Sequence, residues 1–272
     1  MVRASSLLFG KSRLEARTTT AYSRAVIIRT FRSVLAWLGG HGNLVIGVAL
    51  AIVAGTWGFI ELLDEVQEGE TQQFDEWMIR TLREHEGAHW LQEVGRDFTA
   101  LGGVAVMALV TAAVAGYLLL RRRYAAMWLV LAATGGGLVL STVLKYFIAR
   151  DRPSLVEHKS MVYTSSFPSG HSMMAAVVYL TLGSLLARIM PGRVLKLYFL
   201  LLAMVLTLLV GVSRVYLGVH WPTDVLAGWV GGLVWALLVW LVARQLQRKG
   251  AVEKDDDPDP APVDAPAIEV KS

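Results

Sequence analysis

Long apolar runs alternate along this chain with short polar or charged segments, and six of the runs, residues 44–63, 102–120, 125–143, 172–190, 197–212 and 223–242, are long enough to matter. About 17–25 predominantly apolar residues cross a hydrocarbon core roughly 30 Å thick as a helix. The pattern therefore predicts an all-α protein, an integral membrane bundle of six transmembrane helices. The connection from 65 to 101 is too long for a simple turn, and Phe74, Trp77, Met78 and Leu82 recur within it at helical spacing. This predicts an interfacial amphipathic helix on the outer membrane surface or over the site, with a packing element that caps the bundle as the alternative.

The flanks differ from this core. Residues 1–42 form a basic arm in which 26–38 mixes Arg29 and Arg32 with Phe31, Leu35 and Trp37. That mixture suits an interfacial helix and equally a disordered arm drawn to anionic lipid. Residues 249–272 are acidic and Pro-rich with almost nothing to bury, which predicts a disordered cytoplasmic tail. Residues 43–248 remain as the membrane domain. The first long apolar run lies behind an Arg-rich arm rather than a short basic leader, so that span is expected to stay as an anchor.

Lys and Arg collect before the first span, at Arg121, Arg122 and Arg123, at Arg188, Arg193 and Lys196, and at Arg244, Arg248 and Lys249. All four clusters fall on one side, which the positive-inside rule assigns to the cytoplasm together with both termini. The expected location is a bacterial inner membrane with the chemistry on the extracytoplasmic face. Composition agrees with the membrane reading, at 54% hydrophobic and 18% charged residues with mean hydropathy +0.49. The absence of cysteine removes disulfides, thiolate nucleophiles and Cys-ligated metals. A net charge of +4, split between a basic arm and an acidic tail, gives no expectation of a nucleic-acid partner. Trp57, Trp128, Trp221 and Trp240 sit near span ends, where interfacial anchoring is the default, and Gly135, Gly136, Gly137, Gly228 and Gly232 are read as sites of close helix packing.

Ionisable residues beside apolar segments are costly and mark functional sites. Three groups stand out. Pro168-Ser169-Gly170-His171 opens the fourth span, where free backbone N–H groups and the helix dipole favour an anion. Taken alone it is equally a Ser N-cap with an interfacial His. Lys145 and Arg152-Pro153 are seven apart, two turns on one face if the helix is continuous, and a point charge with a planar fork suits phosphate. Snorkelling at a span end is the plainer reading, and it is the one taken for Arg150. Ser213-Arg214 precedes His220 and Asp224, whose spacing of four lets a carboxylate hold one imidazole nitrogen and leave the other free to attack. A structural His–Asp capping pair is the alternative.

Together these residues match, position by position, the tripartite pattern Lys-x6-Arg-Pro, Pro-Ser-Gly-His, Ser-Arg-x5-His-x3-Asp, and the chain resembles the type 2 phosphatidic acid phosphatase superfamily. The resemblance covers Lys145 to Asp224 directly. It implies metal-independent dephosphorylation of a membrane lipid phosphate, with His220 as nucleophile forming a phosphohistidine, Asp224 orienting it and His171 as acid and base. Lys145, Arg152, Ser169, Gly170 and Arg214 would hold the phosphoryl oxygens, which is what phosphoryl transfer demands. No cofactor and no metal are expected, three fixed cations taking the metal's place. Undecaprenyl pyrophosphate is the favoured substrate, with phosphatidylglycerophosphate and phosphatidic acid open. The vanadium haloperoxidases share the motifs but are soluble. A lipid phosphotransferase, or a lipid-phosphate binding or translocating protein without catalysis, also fits the cationic groups, and the sequence does not fix the oligomeric state.

Overall fold

The computed structural model describes residues 43–84, 89–155 and 164–248. The basic arm, with its 26–38 segment, and the acidic tail lie outside the described residues. The chain divides into two compact units, Met1–Leu50 and Ala51–Ser272. The first contributes only the start of one helix to the described residues, and the second holds the site with the helices that support it.

The described residues form eight helices and no strand: α1 (Asn43–Glu68), α2 (Gln72–Glu84), α3 (His89–Leu101), α4 (Val104–Leu120), α5 (Tyr124–Phe147), α6 (Gly170–Ile189), α7 (Arg193–Tyr216) and α8 (Pro222–Arg248). Five of them, α1, α5, α6, α7 and α8, are long and apolar enough to cross a membrane. A sixth crossing exists if α3 and α4, bent by 46° at their junction, are taken together. The run 102–120 thus corresponds to α4, whose 17 residues need part of α3 to reach spanning length. The connection 65–101 holds two helices where the periodicity indicates one, and α1 runs on through Asp64, Glu65 and Glu68.

Helix α6 is the most enclosed span, with 56% of its most apolar window buried against 22% or less for the others. Its neighbours approach closely because small residues line the contacts. A Cβ on Gly228 or Gly232 of α8 would run into the backbone of Ser169 or Met173, one on Gly183 would meet Ala203 of α7, and one on Gly137 of α5 would meet Val177. Met107 of α4 packs with Met174 and Val178, and the Tyr179 hydroxyl donates to the Leu101 carbonyl at 2.9 Å. The buried Thr207 hydroxyl is satisfied in this apolar setting, its Oγ1 donating to Ala203 O at 2.8 Å.

Helix α2 is amphipathic, but its buried stripe differs from the expected one. Asp75 and Ile79 are fully buried, Ile79 packs with Val215, Trp221 and Val225, and Leu82 joins them. Phe74 and Trp77 face outward, 43% and 58% exposed. The exposed Trp57 and Trp128 fit an anchoring role. Trp221 does not: it is buried, its Nε1 donates to Asp151 O at 2.9 Å, and the Arg150 guanidinium lies 5.4 Å from its ring centre. Its polar tip is consumed inside the protein, which rules out an interfacial role.

Candidate active site

The first turn of α8 sets the geometry. Pro222 opens the helix, where its missing N–H costs nothing. The orphan amide of Trp221 is satisfied by Asp224 Oδ2 at 2.9 Å, the half of a capping box in which an acid three residues into the helix reaches back. The amide of Thr223 is satisfied from another helix, by Asp75 Oδ1 at 3.1 Å. Two carboxylates therefore sit at the positive end of the α8 dipole.

Asp224 uses both oxygens. Oδ1 accepts from Arg150 at 2.7 Å, while Oδ2 accepts from Ser166 Oγ and Trp221 N and lies 3.4 Å from His220 Nδ1. On the other side of the ring, His220 Nε2 is 3.3 Å from an Arg152 nitrogen. A guanidinium can only donate, so Nε2 must accept and the imidazole proton belongs on Nδ1, facing the carboxylate. His220 is 1% exposed, and burial pushes its pKa from 6.5 down to about 3 against the opposing pull of Asp224. The ring is thus neutral, with an unshared pair on Nε2.

The cations converge from three elements. Lys145 lies in the last turn of α5, which ends at Phe147, so Lys145 and Arg152 do not share a continuous helix. The loop after α5 instead folds Arg152 back onto the site, where it donates to Thr164 O at 2.9 Å and Val219 O at 2.5 Å. Burial lowers the Arg152 pKa from its ordinary value while Asp224 opposes the change. Lys145 Nζ donates to Ser165 O at 2.7 Å. Arg214, inside α7, is 2% exposed, its Nε has no hydrogen-bond partner, and no described carboxylate pairs with it. A buried cation left without a counterion is expensive, so such a site is complementary to an anion.

Helix α6 begins at this cluster. Ser169 is its N-cap, fully buried, with its hydroxyl accepting from Ser172 Oγ at 2.9 Å. The Ser169 amide donates to Asp224 O at 2.9 Å and so joins two of the motifs. A Cβ on Gly170 would lie 3.3 Å from Lys145 Cε, placing the lysine stem over the first turn of α6. His171 is half-buried and close enough to Arg214, His220, Lys145 and Arg152 for each to bear on its charge. All eight residues singled out from the sequence therefore gather at one end of α6.

Three further participants escape the sequence motifs. Asp75 belongs to a connection rich in acidic residues, yet it lies on the same helical stripe as Ile79 and Leu82, and an acid on a buried stripe is the available signal. Arg150 does not snorkel: besides Asp224 it donates to Thr223 Oγ1 at 2.8 Å and to Asp75 Oδ2 at 2.7 Å. Ser166 bonds the Asp224 carboxylate and lies 3.4 Å from His220 Nδ1, and nothing local marks it among neighbouring serines. Among the described residues no group of three or more His, Asp or Glu is assembled in the manner of a metal site.

Comparison with known proteins identifies the family. The PAP2 superfamily model matches residues 125–248. Phosphatidylglycerophosphatase B of Bacillus subtilis is 39% identical over 155 residues, which cover 55% of this chain and 74% of that protein. Undecaprenyl-diphosphatase of Sulfolobus acidocaldarius is 36% identical over 124 residues, covering 43% of this chain and 53% of that protein. The crystal structure of a transmembrane PAP2 type phosphatidylglycerolphosphate phosphatase from Bacillus subtilis superposes with a TM-score of 0.68 at 32% identity, over 72% of this chain and 98% of that one. The chain is a multi-pass membrane member of the PAP2 superfamily, in its lipid phosphatase family.

Proposed function

We propose that this protein hydrolyses a membrane lipid phosphate without a metal ion, through a phosphohistidine on His220. The observation that carries the reading is the pairing of a neutral imidazole, oriented by Asp224, with three buried or half-buried cations of which Arg214 has no protein counterion among the described residues. Lys145, Arg152 and Arg214, with the Ser169 hydroxyl and the Gly170 end of α6, hold the non-bridging phosphoryl oxygens. The substrate takes over the Arg152 donor now directed at Nε2 and frees the lone pair. Nε2 then bonds to phosphorus in line as the P–O bond to the leaving group breaks, and His171 delivers a proton to the departing lipid alkoxide of a monoester or lipid phosphate of a diphosphate. A water deprotonated by His171 next attacks phosphorus, the P–N bond breaks, and inorganic phosphate leaves. The Nδ1 proton stays against Asp224 throughout, so the positive charge formed on attack is stabilised where it develops.

The substrate reading rests on the relatives. The longer match, to a protein named as a phosphatidylglycerophosphatase, supports a glycerophospholipid monoester. The undecaprenyl-diphosphatase match supports the polyprenyl diphosphate favoured on sequence grounds. Clustering of Lys and Arg at the opposite span ends supports an extracytoplasmic site in a bacterial inner membrane.

The test is phosphate release by the purified protein in detergent with chelator present, from phosphatidylglycerophosphate, undecaprenyl pyrophosphate and phosphatidic acid. Release that survives the chelator and disappears in His220→Ala supports the mechanism, and the lipid with the highest kcat/KM names the substrate. Release from none of them, or only with an added lipid acceptor, favours binding or phosphotransfer.

A further inference from the structure

We propose that Asp75 and Arg150 are positioning residues of this site: Arg150 bridges Asp75 and Asp224, fixes the carboxylate that orients His220, and so ties the surface helix α2 to the nucleophile. The inference rests on the reading of His220 as nucleophile.

The bridge is built into the fold. Arg150 is 13% exposed and the two carboxylates are fully buried. One guanidinium nitrogen reaches Asp224 Oδ1 at 2.7 Å and Thr223 Oγ1 at 2.8 Å, while the other reaches Asp75 Oδ2 at 2.7 Å. The Trp221 ring lies beside the same plane. An ammonium cannot span two carboxylates with this fork geometry. Asp75 also accepts from the Thr223 amide and from the Thr223 hydroxyl at 2.7 Å, so α2 is fastened at the residue next to Asp224.

The division of labour at Asp224 shows what the bridge accomplishes. With Oδ1 committed to Arg150, the carboxylate plane is set and Oδ2 is left facing His220 Nδ1, Ser166 and the Trp221 amide. Without Arg150, Oδ1 loses its guanidinium donor and the carboxylate is held from the Oδ2 side alone. Charge also alternates along the row: Asp75, Arg150, Asp224, then the imidazole. His220 is faced by Asp224 from α8, Arg214 from α7, His171 from α6 and Arg152 from the loop, and Asp224 in turn by Arg150 and Lys145. Removing the Arg150 charge leaves more of the Asp224 charge to hold a proton on His220. Removing the Asp75 charge does the reverse.

The experiment measures kcat, KM and the pH profile of kcat/KM on one lipid phosphate for the full-length protein in detergent, for Asp75→Asn, Arg150→Gln, Arg150→Lys, Asp75→Asn with Arg150→Gln, and His220→Ala. Thermal stabilisation by inorganic phosphate reports an intact pocket in each. Asp75→Asn keeps shape and an acceptor for the Thr223 amide, so it is the variant that keeps the fold. It should lower kcat on the order of ten- to a hundredfold, the size usual for groups that orient an active-site residue, with KM and the phosphate response unchanged. Arg150→Lys should not restore activity. Arg150→Gln should move the acid limb to higher pH and Asp75→Asn should not, while the double variant should be no slower than Arg150→Gln. Wild-type kcat in Asp75→Asn, loss of the phosphate response together with kcat, or restoration by Arg150→Lys would overturn the inference and leave the hydrolase reading standing. Full activity in His220→Ala would remove both.

Discussion

Replacing Gly228 by alanine tests whether close helix approach holds the site together. The new Cβ would lie 2.7 Å from the Ser169 carbonyl oxygen and 3.0 Å from Ser172 Cβ, where ordinary contact begins at 3.4 Å. The nearest obstacle is main chain and cannot swing aside, so α6 and α8 must part by about 0.7 Å, the sort of overpacking that costs about 1–3 kcal/mol. Helix propensity returns about 1 kcal/mol for Gly→Ala. A control in the same helix separates the two effects: at Gly231 the Cβ would meet only the Phe59 ring, at 3.4 Å, and the far end of Met173. Because Ser169 begins α6 and its amide bonds to Asp224 O, the displacement moves the phosphate-holding turn relative to the nucleophile. Misplacement on the order of 1 Å costs about a hundredfold in rate, so kcat/KM should fall roughly ten- to a hundredfold in Gly228→Ala by the same reasoning. Thermal unfolding in detergent and phosphate release are measured on both variants. If Gly228→Ala matches Gly231→Ala in rate, this close approach does not position the site.

Single side chains carry further consequences. Arg214→Met should abolish stabilisation by inorganic phosphate, which at a hundred times its Kd is worth about 2.7 kcal/mol in the parent, yet raise the unfolding temperature without phosphate because a lone buried charge is gone; a lower temperature there contradicts the unpaired-cation reading. His171→Ala should lower kcat/KM, which ends at phosphoenzyme formation, by about 10²–10⁴-fold on a lipid phosphate, the range of general acid catalysis, and far less on an aryl phosphate, so equal losses of kcat/KM on both count against the acid role. For His220, the folded-state pKa of about 3 lies below the ordinary 6.5. The unfolded chain therefore binds a proton that the folded chain refuses, and the resulting stability, complete above pH 6.5, is lost as pH falls toward 3. Thermal unfolding across that window should show a shallower acid decline in His220→Gln, and parallel curves would refute the assignment.

What could be read from the sequence was whatever is encoded locally. Apolar length gave the long helices, and fixed spacing gave His220 with Asp224 and the Ser169 cap. The Gly228 and Gly232 pair does face the backbone of α6. What escaped depends on partners distant in the chain. Arg150 reads as one more basic residue at a span end until the loop after α5 brings it between Asp75 and Asp224, more than seventy residues away on either side. Asp75 resembles its acidic neighbours until α2 is seen to lay the stripe of Asp75, Ile79 and Leu82 against the core. Trp221 shows the converse error, since an indole near a span end suits lipid until its N–H is found bonded to Asp151 O.

Every step of the mechanism depends on His220 as the nucleophile. Rapid acid-free quenching of the protein with a radiolabelled lipid phosphate, followed by peptide mapping, should yield an acid-labile, alkali-stable phosphoryl group on the peptide containing His220, absent in His220→Gln. Label on another residue, or turnover with no phosphoenzyme while His220→Gln stays active, would contradict it.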